Sequence, residues 1–235
     1  AAELGRERVR PSVLALALGQ CRHPSAQPVL LELLGHPEAA VRLQAARALE
    51  GVLDGRAIDP LMSASSDPDP AVRRLAAAYL GRLRARRAVP RLKQLAADPQ
   101  ARLAAVRALG DVGDPAASGT LLELALHADG PLRLEAADAL GRTGGQGAAR
   151  AVIALLAIAN PGARPALMRA LGGVLRGRDD RVAVAALGDV VRRGGDPALL
   201  LGAIDALAAS ADRGAVPVLV GALPGADAPT RRRIL

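Results

Sequence analysis

This sequence predicts an all-α fold, an α-solenoid of stacked antiparallel helix pairs, and three observations predict it. A triplet of the form Ala-Leu-Gly recurs with its leucine at Leu18, Leu49, Leu80, Leu109, Leu140, Leu171 and Leu207, at intervals of 31, 31, 29, 31, 31 and 36 residues. A near-constant period of that length is the mark of a stacked repeat array. The apolar residues leading into the triplet, such as Val72, Leu75, Ala76, Tyr79 and Leu80, follow a three-then-four spacing, which is the period of a helix and not of a strand. Finally, the apolar half of the chain is built mainly from Leu, Val and Ala, with a single Tyr and no Phe or Trp. Such small side chains let helices approach closely and leave almost no aromatic surface for stacking on bases or flat cofactors.

Each repeat resolves into two helices. Eleven residues before the triplet leucine stand Glu38, Asp69, Asp98, Asp129, Asn160 and Asp196, whose side-chain oxygens suit the free amides of a helix N-terminus. Pro70, Pro99, Pro161 and Pro197 follow them, and proline is favoured as the first helical residue because its missing N–H removes no bond there. The second helix of each repeat is therefore expected to start at these positions. The first helix is expected over the apolar stretches 29–34, 58–62, 89–95, 121–126, 152–158, 182–191 and 216–223, with Pro28, Pro60, Pro90 and Pro217 in first turns, where proline is tolerated.

The resulting single array of about 31 residues per repeat has a lone second helix over 6–22, repeats near 24–54, 55–84, 85–113, 114–144, 145–176 and 177–210, and a partial repeat over 211–235. The long last interval places about five extra residues in the repeat over 177–210, around Arg176 to Arg181 and Val190 to Gly195. Stable arrays carry terminal repeats with polar outer faces. Neither end reads as one, so the chain is expected to be a piece of a longer protein.

The lone Cys21 excludes an internal disulfide and a thiolate-rich metal site, and is read as a buried small hydrophobe. The longest apolar run, Ala151 to Ala159, is too short to cross a bilayer, and the N-terminus lacks the basic-then-apolar form of a signal peptide. A soluble, cytoplasmic segment without membrane insertion is expected. Catalytic signatures are lacking: there is no phosphate-cradling glycine loop after a strand, no nucleophile elbow and no metal-spaced His/Cys set. Asp179 and Asp180 read as a solvated loop pair.

The spacing V-R-x-x-A-A-x-A-L-G, present in full or nearly so at Val41 to Glu50, Val72 to Gly81 and Leu132 to Gly141, resembles the short HEAT-like repeats of the phycobilisome-lyase type. The resemblance covers essentially the whole chain and implies an armadillo/HEAT-like superhelix. It says little about activity, since such repeats serve lyases, hydroxylases and scaffolds alike. One enzyme branch, deoxyhypusine hydroxylase, carries paired His-Glu dipeptides that bind iron. No His-Glu dipeptide occurs here, and His23, His36 and His127 are scattered at turns, so neither a metal nor a cofactor is expected.

Two sets of cations stand out. Arg42, Arg73, Arg102, Arg133 and Arg164 all lie seven residues before the triplet leucine. They are read as a structural ladder similar to that known in HEAT arrays, each pairing with an acid one turn earlier or in the adjacent repeat, with Asp69, Asp98 and Asp129 among the acceptors. Arg47, Arg107 and Arg169 lie two residues before it, on the second helix, which in HEAT-like arrays lines the concave face. They fall in alternate repeats, with Ala78 and Asp138 between them, and so suit an extended partner better than a small ligand.

The charge distribution is sharper still. From Pro70 to Ala97 there are eight basic residues, Arg73, Arg74, Arg82, Arg84, Arg86, Arg87, Arg91 and Lys93, and no acid, which accounts for the whole net charge of +8. Part of this run serves the helix C-terminal dipole, but the four arginines from Arg82 to Arg87 exceed what a cap requires. Arginine outnumbers lysine thirty to one, which a general compositional bias explains more simply than selection at each site.

The reading is a non-catalytic protein–protein interaction scaffold that meets an acidic protein surface through the second-helix face and the basic edge, with Arg47, Arg82, Arg84, Arg86, Arg87, Arg91, Lys93, Arg107 and Arg169 as contacts. One alternative is nucleic-acid binding, as in the DNA-alkylation-repeat glycosylases, with the missing aromatics against it. The other is a chromophore-lyase-like activity, implied by the resemblance alone.

Overall fold

The computed structural model describes residues 10–143, 149, 152–153, 156, 159–176, 180–194, 197–226 and 228–235. Its contacts divide the chain into two compact units, Ala1–Ala108 and Leu109–Leu235. The architecture is an all-α, helix-pair solenoid, and no strand occurs among the described residues. In the first unit α1 (Pro11–Cys21), α3 (Ala39–Ala48), α5 (Pro70–Arg82) and the start of α7 (Arg102–Val112) are second helices, and α2 (Gln27–Leu33), α4 (Ile58–Ala64) and α6 (Val89–Leu95) are first helices. In the second unit the first helices are α8 (Ser118–His127), α11 (Arg181–Arg193) and α13 (Ala215–Ala222), and the second helices are α9 (Gly130–Thr143), α10 (Arg164–Leu175), α12 (Pro197–Ala209) and α14 (Ala228–Ile234).

The core follows the repeat register. Triplet leucines Leu49, Leu80, Leu109, Leu140 and Leu171 are fully buried, as are Leu30, Leu61, Leu92 and Leu121, each twelve residues after the preceding triplet leucine. The two residues missing from the 29-residue repeat therefore lie between α6 and α7. The triplet glycine has a packing cause: a Cβ added at Gly81 would lie 2.7 Å from Ala108 Cα, and one at Gly19 would lie 2.8 Å from Ala48 Cβ. At these two contacts the second helices meet alanine on glycine, at a distance that forbids any side chain. In the repeat over 24–54 Glu50 replaces the glycine, and the buried Tyr79 takes the register that alanine holds at positions 48 and 108.

First helices are short because a 3₁₀ turn leads into them, at Pro24–Ala26, Gly55–Ala57, Arg86–Ala88 and Pro115–Ala117. Pro28, Pro60, Pro90 and Pro217 lie in the first turns of α2, α4, α6 and α13, where sequence placed them. A further capping position went unread in the sequence. Asp54, Asp114 and Asp212, each five residues after a triplet leucine, accept from the amides of Arg56, Ala116 and Gly214 at 2.9, 2.9 and 2.7 Å. The extra residues of the last full interval lengthen α11 to 13 residues, against 7 in α2, α4 and α6.

Several expectations need correction. The lone second helix expected over 6–22 is helical at Pro11–Cys21, because Pro11 supplies the start, while residues 6–9 lie outside the described residues. Cys21 is exposed, since it ends α1 beyond the packed turns. The second-helix starts at Pro99 and Pro161 are three residues early: non-helical turns intervene, and α7 and α10 begin at Arg102 and Arg164. Glu38 makes no side-chain cap, its own amide donating to His36 Nδ1 instead. Asp180 is not a solvated loop residue but the cap of α11, accepting from the Ala183 amide at 3.1 Å. Most of the helix expected over 152–158, together with Asp179, Asp196 and Asp227, lies outside the described residues.

Candidate partner-binding surfaces

The arginines seven residues before the triplet leucine turn inward, onto the loop between the two helices of their own repeat. The Arg42 guanidinium donates to the carbonyls of His36 and Pro37 at 3.0 and 2.9 Å, and grips Asp67 through Nε and Nη2 at 2.7 and 2.9 Å. Arg73 repeats the arrangement on the carbonyls of Asp67 and Pro68 and on Asp98, with Nε to Asp98 at 2.8 Å. Arg102 bonds the carbonyls of Ala96 and Ala97, Arg133 that of Ala128 together with Asp129, and Arg164 that of Ala159. The common partner is a backbone carbonyl five or six residues earlier, and among the described residues an acid of the next repeat is added only at Arg42 and Arg73. Asp69 is not such an acceptor. It caps α5 through the Ala71 amide at 2.8 Å, and Asp67 takes the guanidinium.

The electrostatics follow from this geometry. Burial opposes ionisation of Asp67, but hydrogen bonds from Arg42 and from the Asp69 amide outweigh it and hold its pKa below the ordinary carboxylate value. Asp98 is lowered by the Gln100 amide and then by Arg73. Asp54 is lowered to about 2, chiefly by the Arg56 guanidinium and amide. Arg42 is raised by its bond to Asp67. Tyr79, buried near Glu50, is pushed up to about 12.

The basic segment is less uniform than its sequence. Arg91 is tied to Ser65 at the end of α4, through its hydroxyl at 2.9 Å and its carbonyl at 2.8 Å. Arg87 pairs with Asp59 at 3.0 Å, while Arg82 lies 3.9 Å from Glu50 and 5.7 Å from the Tyr79 ring centroid. Arg74 reaches the Gln100 carbonyl at 3.3 Å. Arg84, Arg86 and Lys93 are exposed and make no side-chain hydrogen bond or ion pair among the described residues. Arg84 has φ +48°, in the left-handed region, where the matching position after α7 carries Gly113 at φ +68°.

On the second helices, Arg47 and Arg107 of the first unit are exposed. Arg47 lines a recess of about 590 Å³ with Leu16, Gln20, Arg22, Gln44 and Glu50. In the second unit Arg169 lies 3.8 Å from Asp138. These two residues help line a groove of about 870 Å³ along α9, α10 and α12, floored in part by Gly141, Gly172, Gly173 and Met168. Sequence reading missed this groove, because it is made by side chains that are absent and nothing in the residue types marks it. No group of three or more His, Cys, Asp or Glu side chains among the described residues is placed to hold a metal ion. No described helix is long and apolar enough to cross a membrane.

No curated protein matches this sequence. Among solved structures, an engineered protein superposes with a TM-score of 0.59 at 20% identity, over 97% of this chain and 74% of its own. The complex of CpcE and CpcF of phycocyanin lyase from Nostoc sp. PCC7120 superposes with a TM-score of 0.51 at 22% identity, over 100% of this chain and 96% of its own. Human deoxyhypusine hydroxylase in complex with glycerol gives 0.41 at 21% identity, over 93% and 96%. At these identities the first two show a shared helical-repeat fold. The family model for HEAT repeats matches residues 6–64, 29–101 and 95–172, the stretch in which the arginine–carbonyl clasp and the alanine-on-glycine contacts recur, and the chain belongs to the HEAT-repeat family.

Proposed function

We propose that this chain is a non-catalytic scaffold that binds an acidic surface of a partner protein through the first unit's basic edge, with the exposed Arg47 and Arg107 of the same unit extending the contact. The observation that carries the reading is the trio Arg84, Arg86 and Lys93, exposed and unpaired within a stretch that contains no acid. The other five cations of that stretch have partners inside the fold, so the trio is what the segment retains for another molecule. Arg84 supports the same reading. A non-glycine residue in the left-handed region is costly by about 1 kcal/mol, and its place there fits a need for the side chain.

A protein partner is favoured over nucleic acid by the residue set. Bases bind single-strand sites through aromatic stacking, and the sole aromatic, Tyr79, is buried. The test is fluorescence anisotropy with a labelled poly-glutamate peptide and a labelled DNA duplex, each titrated at two salt concentrations. Peptide binding is expected, with a loss of about tenfold or more in the triple variant Arg84→Glu, Arg86→Glu, Lys93→Glu. Equal peptide affinity for the triple variant and the parent would contradict the reading. So would duplex binding tighter than peptide binding.

A further inference from the structure

We infer that the groove along α9, α10 and α12 is a second binding site, one that takes the C-terminal end of a partner polypeptide with apolar last residues and a free carboxylate. The proposal stands apart from the basic edge, because every residue that lines the groove belongs to the second unit.

The groove has length, depth and polarity. It runs along the second helices from Pro165 and Leu201 near their starts to Arg142, Arg176 and Ala209 near their ends. At 1.5 Å per residue the stretch from Pro165 to Arg176 spans about 16 Å, which matches about five residues of extended peptide. Depth comes from glycine. A Cβ added at Gly173 would lie 2.7 Å from Gly141 Cα, so α9 and α10 touch backbone to backbone, and no side chain stands over the contact. Its volume is about 870 Å³, half open to solvent.

Polarity selects the occupant. Pro165, Met168 and Leu201 make the starting end apolar, while Asp138, Arg169 and Asp205 are charged groups of both signs at mid-length. Arg176 makes the far end cationic. The Arg142 guanidinium is turned back toward α7, its Nη2 2.6 Å from where a Cβ on Gly110 would stand, with Asp111 at 3.6 Å and Glu135 at 3.5 Å. Arg176 is exposed and has no side-chain partner among the described residues. Just beyond, the backbones of Arg176 and Ser210 pair in an isolated antiparallel bridge, so main chain joins the turns that leave α10 and α12. Main chain joined beside the cationic end fits a chain terminus better than a chain passing through. The Arg176 guanidinium there complements a carboxylate, the pairing that arginine geometry favours.

The experiment uses the whole chain and fluorescein-labelled peptides ending in Leu-Val-Leu, one with a free C-terminal carboxylate and one amidated. The free acid is expected to bind at least about tenfold more tightly than the amide. Arg176→Ala should remove most of that difference, and Gly172→Leu should weaken both peptides by filling the groove. Both variants should keep the parent's circular dichroism, since Arg176 is exposed and a Cβ at Gly172 meets nothing closer than 3.5 Å. The triple variant at Arg84, Arg86 and Lys93 should bind these peptides like the parent, which separates this site from the basic edge. Equal binding of acid and amide, no binding of either peptide at about millimolar concentration, or full binding by Gly172→Leu would each overturn the proposal.

Discussion

Arg42 and Asp67 show how far a single pair reaches in this fold. The guanidinium satisfies two loop carbonyls and one carboxylate at once, with side-chain exposures of only 13% and 6%. Removing either partner leaves a poorly hydrated charge behind, so Arg42→Ala is expected to lose about 2–3 kcal/mol in urea unfolding. The sign with pH follows from the lowered carboxylates. Asp54, Asp67 and Asp98 are held below the unfolded carboxylate value, so the stability they contribute is fully present above about pH 4. It is lost as pH falls toward about 2, where Asp54 takes up its proton. Melting temperature is expected to be flat from pH 7 to about pH 4.5 and to fall below it, and Asp67→Asn should flatten part of that fall. Glycine supplies a second contrast. Alanine gains about 1 kcal/mol over glycine inside a helix, but at Gly81 the new Cβ meets Ala108 Cα at 2.7 Å, whereas at Gly172 the nearest atom is at 3.5 Å. Overpacking against backbone costs about 1–3 kcal/mol, so Gly81→Ala is expected to destabilise and Gly172→Ala to stabilise, both read by chemical unfolding.

At the scale of the helix, what the sequence revealed was the periodic part. The triplet leucines, the helical spacing and the prolines at 28, 60, 90 and 217 all repeat, and repetition makes them visible. What stayed hidden depends on neighbours in space. The cap at Asp54, Asp114 and Asp212 is absent from Ala85 in the same register, so its period is broken, and at Asp54 and Asp114 it serves a 3₁₀ turn that has no strong apolar pattern of its own. The glycine of the triplet reads as a helix end until the facing alanine is known to sit against it. The starts expected at Pro99 and Pro161 fail for a local reason: the turns that Asp98 and Asn160 stabilise come before the helix rather than opening it. Caps of this kind contribute about 1 kcal/mol. Asp114→Ala is therefore expected to cost about that much, and amide hydrogen exchange should show faster opening confined to the start of α8.

For the molecule as a whole, net charge is a poor guide until each cation's partner is known. The excess of +8 lies in one stretch of the first unit, yet Arg73 and Arg91 there secure loops and helix ends, and Arg82 and Arg87 face acids. Register in the sequence set Arg73 apart as a ladder residue, but could not separate Arg82, Arg87 and Arg91 from Arg84, Arg86 and Lys93, because the partners of the first three come from neighbouring elements. Carbonyls five or six residues back identify the ladder residue, and missing partners identify Arg84, Arg86 and Lys93. A direct measurement of that division pairs melting temperature with poly-glutamate affinity for two variants, Arg73→Ala and the triple charge reversal at Arg84, Arg86 and Lys93. Arg73→Ala is expected to lower the melting temperature by several degrees and to leave affinity within about twofold, while the triple variant melts like the parent and loses about tenfold or more in affinity. A triple variant that melts early, or one that binds as the parent does while Arg73→Ala abolishes binding, would contradict that division.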